Sequence, residues 1–141
     1  MFKRKGYHGV AMLVDLDAGT SKLENIPETI LRQYIGGTGL GAYFLNKYCK
    51  VNADPFGPEN PLIFVTSPLV GTKITTSSKF AIVTKSPLTG FIGDSLASSY
   101  LAVELKSCGF DALIIRGKCD EISVLKIEDH KIKVIKMSEL A

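Results

Sequence analysis

Two clusters of short hydroxyl side chains carry the most direct chemical suggestion in this sequence: Thr75-Thr76-Ser77-Ser78 ahead of an apolar run, and Asp94-Ser95 with Ser98-Ser99 at the expected start of a helix. Such residues expose hydroxyls and backbone N–H groups that suit an anion, and the same residue types also serve as N-caps and turn formers. A glycine-rich run, Gly36-Gly37-Thr38-Gly39-Leu40-Gly41, invites comparison with a dinucleotide-binding loop. That motif needs a strand directly before the glycines, so that the phosphate sits on a helix N-terminus at the end of a βα turn. A helical pattern precedes it here. The run therefore reads as a turn between helices that leaves room for close backbone approach to a ligand phosphate.

Acid–base chemistry finds little support. Asp94 and Glu104 are the acids near the hydroxyl clusters, and neither has a histidine at close sequence range. His8 and His130 fall in expected loops, as solvated surface histidines do. Cys49, Cys108 and Cys119 are odd in number and lack C-x-x-C spacing, which argues against a disulfide framework and against a zinc or iron–sulfur site built from this chain alone. No catalytic residue and no protein metal ligand is assigned.

The elements that must position these groups follow from pattern. The 141 residues, 45% hydrophobic, suffice for one domain with a real core. Gly9 to Leu16 and Ser21 to Asn25 read as a hairpin around Asp17-Ala18-Gly19-Thr20. Pro27 opens a helix through Ile30, Leu31 and Tyr34, and a second helix runs from Leu40 to Tyr48. The breakers between Asn52 and Pro61 predict a loop, followed by strands at Leu62 to Ser67 and Phe80 to Thr84 and a turn at Ser86 to Gly90. Ser98 to Lys106 predicts a helix, Ala112 to Arg116 a strand, and Ile122 to Ile127 with Lys131 to Ile135 a second hairpin, after which Met137 to Ala141 opens a further helix. Strands outnumber helices and hairpins dominate the connections, so the fold class is α+β.

A net charge of +3 with scattered lysines excludes little by itself. Lys126, Lys131, Lys133 and Lys136 lie on an expected solvated hairpin without interleaved aromatics, so nucleic acid is not the expected partner. No apolar stretch reaches the roughly eighteen residues of a membrane span. Met1 is followed by Phe2, Lys3, Arg4, Lys5 and Gly6 with no apolar region close behind, and the expected location is cytoplasmic.

Four blocks identify a relative: IGGTGLGAYFL at Ile35 to Leu45, ENPLIFVTSPLVGT at Glu59 to Thr72, VTKSPLTGF at Val83 to Phe91, and AVELKSCGFDALIIRGK at Ala102 to Lys118. In this order they resemble the N-terminal domain of the aldehyde:ferredoxin oxidoreductases, tungsten enzymes with a bis-pterin cofactor. The resemblance covers nearly the whole chain. It implies a domain of two curved antiparallel β-sheets with a few short helices, spanning residues 1–141 as a single unit and making up most of that N-terminal domain. It further implies two pterin dithiolene ligands on the concave sheet surface, a magnesium ion bridging their phosphates, and tungsten (or molybdenum) held by dithiolene sulfurs without a protein ligand. The cofactor-binding positions implied are Lys79, Asp94, Ser95, Leu96, Ala97, Ser98 and Ser99. Lys79 stands where the family usually has arginine, Leu96 where it has asparagine, and Ser98-Ser99 where it has paired glycines; Thr38 stands where a basic residue is frequent. The iron–sulfur cysteines and aldehyde pocket belong to later domains. The implied partners are the remainder of the enzyme or a companion subunit, ferredoxin, and further copies of the same chain. The alternative is a truncated or diverged, non-catalytic interaction module of the same fold.

Overall fold

The computed structural model describes residues 6–139, so the basic run at 2–5 and the last two residues lie outside it. Strands β1 (Val10–Asp15) and β2 (Thr20–Asn25) form the first hairpin, as expected. Its turn is closed by Gly19 at φ +61 and by the Ala18 N–H donating to the Asp15 carboxylate (3.0 Å). Helix α1 (Glu28–Tyr34) begins behind Pro27, whose φ of −56 suits a helix entrance. Helix α2 (Gly37–Tyr48) starts three residues before the expected Leu40, inside the glycine run itself. Then come β3 (Leu62–Thr66), β4 (Lys79–Lys85), β5 (Ile92–Ser98), α3 (Tyr100–Ser107) and β6 (Ala112–Arg116). A closing hairpin of β7 (Ser123–Glu128) and β8 (Lys131–Lys136) leads into a short 3₁₀ turn at Met137–Glu139.

The six-stranded sheet has the order β2-β1-β6-β3-β4-β5, and β7-β8 make the second sheet. The α+β class expected from pattern holds, with two sheets and three short helices. One pair departs from an all-antiparallel arrangement: β6 inserts beside β1 in parallel, Leu13 opposite Ile114. Both strands are apolar on both faces, VAMLVD and ALIIR, because the middle of the sheet is covered on both sides.

One face of the large sheet packs on α1 and α2, where Leu31, Leu40 and Phe44 meet Ile63, Val65, Ala81, Val83, Ala112 and Ile114. The other face receives α3 and the β7–β8 hairpin: Met12, Val14, Leu105, Phe110 and Leu113 form one cluster, and Val70, Phe80 and Ala102 another. The hairpin lysines 126, 131, 133 and 136 are exposed, as their pattern predicts. Among the described residues, no helix is long and apolar enough to cross a membrane.

Asp111 fastens the start of the chain to this frame. Its carboxylate accepts the His8 and Gly9 N–H groups (3.2 and 2.6 Å) and pairs with the Lys106 ammonium, both side chains being buried. Lys106 in turn lies 5.6 Å from the centre of the Tyr7 ring.

Candidate functional site

The largest correction concerns residues 92–98. The Asp94-Ser95 cluster does not open a helix: it lies in β5, paired with all seven residues of β4 from Lys79↔Ser98 to Lys85↔Ile92. The helix begins two residues later than expected, at Tyr100, with Ser99 as its N-cap and the Ser99 Oγ accepting the Leu101 N–H (3.1 Å). The reason is local. IGDSLAS is poor in the β-branched and aromatic residues that mark strands, and an edge position imposes fewer packing demands on its side chains.

This register sorts the implied cofactor residues. Directly opposed residues in an antiparallel pair project to the same face. Lys79, Asp94, Leu96 and Ser98 therefore share the α2 side with Ala81 and Val83, while Ser95 and Ala97 project to the α3 side with Ile82 and Phe80. Ala97 packs there against the cluster of Phe80 and Ala102. Ser99 is engaged as the cap, and its N–H donates to the Ser78 carbonyl (3.2 Å), which brings the Thr75–Ser78 segment to the same end of the strand pair.

On the α2 side, the Lys79 ammonium donates to the Ser98 hydroxyl (2.9 Å), and no carboxylate among the described residues bridges it. At the other end of this exposed surface the Thr38 hydroxyl donates to the Asp94 carboxylate (3.0 Å). That bond joins the glycine run to β5, a juxtaposition no local pattern signals across the intervening chain. The glycines serve this approach. A Cβ on Gly41 would lie 2.5 Å from a methyl of Val83, and one on Gly36 would lie 2.8 Å from the Thr66 carbonyl oxygen, so the helix sits on β3 and β4 at a distance only glycine permits. As expected, helix α1 and not a strand precedes the run.

Ile35, between the two helices, holds φ 61 and ψ −67, a strained turn for a β-branched residue. The Gly36 N–H donates to the Tyr34 carbonyl (2.7 Å), and the Tyr7 hydroxyl donates to the Ile35 carbonyl (2.8 Å). Burial, then the nearby Asp111 charge, raises the Tyr7 pKa and keeps that hydroxyl protonated. Sequence reasoning assigned Tyr7 no role.

β5 is also a sheet edge. The Ser99 N–H bonds to Ser78 O and the Ser86 N–H to Phe91 O, so the odd-numbered residues of β5 exchange hydrogen bonds with β4. By alternation, the backbone N–H and C=O groups of Asp94, Leu96 and Ser98 point away from β4 along the open edge. The surface thus combines one ammonium, hydroxyls, a tethered carboxylate and a row of backbone donors and acceptors. That donor set fits a polyanionic, hydrogen-bonding ligand such as a pterin phosphate, on one side only. The Leu96 side chain offers no polar atom, but its backbone does.

His8 and His130 are exposed, and the three cysteines are free thiols. Cys108 is pushed up by burial, then by the charges of Asp129 and Glu104, which keeps it a thiol. Among the described residues no cluster of three or more His, Cys, Asp or Glu could hold a metal.

Comparison with known proteins agrees with this frame. The family model described as aldehyde ferredoxin oxidoreductase, N-terminal domain, matches residues 11–141. A tungsten-containing aldehyde ferredoxin oxidoreductase of Pyrococcus abyssi is 43% identical over 129 residues, covering 92% of this chain and 21% of that protein. An aliphatic sulfonate oxidoreductase, WOR-like subunit, of Pyrococcus furiosus is 38% identical over 133 residues, 91% of this chain and 21% of that one. The active-site complex BamBC of benzoyl coenzyme A reductase, in complex with 1,5-dienoyl-CoA, superposes with a TM-score of 0.90 at 32% identity over 96% of this chain and 21% of its own. The chain spans about a fifth of the length of these relatives. It belongs to the aldehyde ferredoxin oxidoreductase N-terminal domain family.

Proposed function

We propose that this chain forms the cofactor-facing wall of a tungsten oxidoreductase, receiving pterin phosphates and pterin hydrogen-bonding edges on the α2 side of β4 and β5. The observation that carries the reading is the convergence of Lys79, Ser98, Asp94 and Thr38 on one exposed surface bordered by the open backbone edge of Asp94, Leu96 and Ser98. The Lys79 ammonium would neutralise phosphate charge as a point donor, without the two-pronged geometry an arginine supplies. The edge N–H groups would donate to phosphate or pterin acceptors, and the edge C=O groups would accept from pterin N–H groups or ligate a magnesium ion. The Asp94 carboxylate, held by Thr38, would repel the phosphates unless a cation such as magnesium stood between them.

When bound, the tungsten (or molybdenum) pterin group supplies the two-electron oxidation of an aldehyde to a carboxylic acid, with electrons passing to ferredoxin. This chain's residues bind and orient, and segments of a longer polypeptide or a companion subunit supply the substrate pocket and iron–sulfur ligands. Relatives whose names specify an aldehyde, a sulfonate and a dienoyl-CoA share this domain, which supports placing substrate choice elsewhere. The test is pterin fluorescence and tungsten per chain after expression with tungstate and pterin synthesis. Pterin, below one equivalent in this chain, falls further in Lys79→Ala and rises in Lys79→Arg. A pterin content indifferent to residue 79 sinks the reading.

A further inference from the structure

We propose that Tyr7 is a positioning residue for the surface of Lys79, Ser98, Asp94 and Thr38: by holding the Ile35 carbonyl, it keeps the strained link between α1 and α2 in the conformation that sets Thr38 beside Asp94. What this does for a ligand rests on the cofactor reading above; the positioning itself does not.

The link is short and unusual throughout. α1 ends at Tyr34 and α2 begins at Gly37, so Ile35 and Gly36 alone join them. Ile35 stands at φ 61 and ψ −67, Gly36 is extended at φ 172 and ψ −169, and Gly37 returns to φ 55. The Ile35 angles, with the Gly36 N–H donating to the Tyr34 carbonyl (2.7 Å), make a γ-turn of the rare, strained hand. Glycine adopts such angles freely and a β-branched residue does not. With 60% of its surface exposed, the Ile35 side chain recovers little of that cost through burial. Strain of this kind persists only where surrounding contacts over-determine the backbone.

The Ile35 N–H belongs to α1, donating to the Leu31 carbonyl (2.9 Å), and Gly36 is pressed against the Thr66 carbonyl. The Ile35 carbonyl accepts the Tyr7 hydroxyl (2.8 Å), which among the described residues is the one side-chain hydrogen bond to residues 35–37. Tyr7 is itself fixed. Its ring packs on the core cluster that contains Leu40 and lies 5.6 Å from the Lys106 ammonium, while the next two N–H groups, of His8 and Gly9, are held by Asp111. Because Asp111 already fastens this segment, the Tyr7 hydroxyl is not needed to hold the start of the chain. What it adds is a fixed orientation of the Ile35–Gly36 peptide. Thr38 follows two residues later, in the first turn of α2, and its hydroxyl reaches Asp94 (3.0 Å). A link that relaxes at Ile35 swings that turn and parts Thr38 from Asp94.

Amide hydrogen exchange of the 141-residue chain, without cofactor, tests the positioning. Tyr7→Phe keeps the ring and removes the donor. The amides of Ile35, Gly36 and Leu40, each hydrogen-bonded in or beside the link, are expected to exchange about five- to tenfold faster, while those of Gly9 and Asp111 keep their rates. Unchanged rates at 35, 36 and 40 overturn the proposal. So does equal acceleration at Gly9, which would mean that the hydroxyl only fastens the start of the chain. Pterin content after expression with tungstate and pterin synthesis tests the consequence. Tyr7→Phe is expected to retain severalfold less pterin, and Ile35→Gly, which removes the strain, is expected to restore it in the Tyr7→Phe background. A loss in Lys79→Ala with none in Tyr7→Phe, or a loss that Ile35→Gly does not restore, overturns the proposal and leaves the cofactor reading standing. Pterin content indifferent to both residue 7 and residue 79 sinks the cofactor reading, and the exchange rates then decide the positioning alone.

Discussion

Thr38, in the first turn of α2, donates its hydroxyl to the Asp94 carboxylate on β5 (3.0 Å), tying the glycine-rich helix head to the sheet edge across 56 residues of sequence. The bond fixes where the helix begins relative to the exposed strand surface.

The first prediction follows from that bond. Thr38→Val and Asp94→Ala each remove one partner of an exposed neutral-to-charged hydrogen bond, so each is expected to cost about 0.5–1.5 kcal/mol of folding stability. If the two groups act on each other, the double variant costs less than the sum by roughly 0.5 kcal/mol or more in urea unfolding. Strict additivity would show the contact to be energetically silent.

The second concerns the positions on the α2 side where the resemblance implies other residues than the ones this chain carries. Lys79→Arg, Leu96→Asn and Ser98→Gly together restore the forked cation, a polar side chain and close backbone approach on one contiguous surface. Pterin retained through purification is expected to rise severalfold over the unmodified chain, read by fluorescence of the oxidised pterin, and Ser95→Gly on the opposite face is expected to change it little. A stoichiometric load in the unmodified chain contradicts this expectation.

The third concerns Asp111, whose carboxylate joins the buried Lys106 ammonium to the His8 and Gly9 backbone. Asp111→Ala leaves a buried ammonium unpaired and two N–H groups without their acceptor, a loss of about 3–5 kcal/mol. Denaturant midpoints measure it. Replacing Lys106 together with Asp111 by apolar residues is expected to cost far less than Asp111→Ala alone, since the penalty lies in the orphaned charge.

Much of this architecture was legible in the sequence, and the illegible parts share a physical cause. The two hairpins, α1 and β3 followed from alternation, Pro27 and turn residues, because in those segments local preference and burial agree. The pattern of β5 points to a helix start because Gly93, Asp94, Ser95 and Ser98 favour caps and turns, and only hydrogen bonding to β4 makes them a strand. The strand then divides the expected site. Lys79, Asp94, Leu96 and Ser98 fall on one face and Ser95 and Ala97 on the other, a distinction visible only once the period is known to be two. The parallel placement of β6 beside β1, the Thr38–Asp94 bond and the Tyr7–Ile35 latch are all long-range pairings, which no local pattern encodes.

The last prediction concerns pH. Tyr48 and Lys47, on the last turn of α2, both donate to the Glu24 carboxylate of β2. Burial and then the hydrogen bond to Glu24 push Tyr48 from its ordinary 10.0 to about 12. Burial alone would raise Glu24, but the hydrogen bonds from Lys47 and Tyr48 outweigh it, and its pKa lies below the ordinary 4.5. The two shifts act at opposite ends of the scale. A raised tyrosine binds its proton more tightly when folded, so its contribution is complete below pH 10 and is lost as pH climbs from 10 towards 12. A depressed carboxylate binds its proton less tightly when folded, so its contribution is complete above 4.5 and drains away as pH falls below that value. Tyr48→Phe is therefore expected to lower stability at neutral pH by about 0.5–1.5 kcal/mol, since Glu24 loses one donor. It is also expected to flatten, without abolishing, the decline between pH 10 and 12, because one group that titrates there is gone while Lys47, raised from 10.5 by its hydrogen bond to Glu24, remains. Glu24→Gln should flatten both limbs, removing the acid titration directly and part of the alkaline one through Tyr48. Urea unfolding of the three proteins at a series of pH values separates these outcomes. An alkaline limb of unchanged slope in Tyr48→Phe would show that the hydroxyl does not titrate in that window.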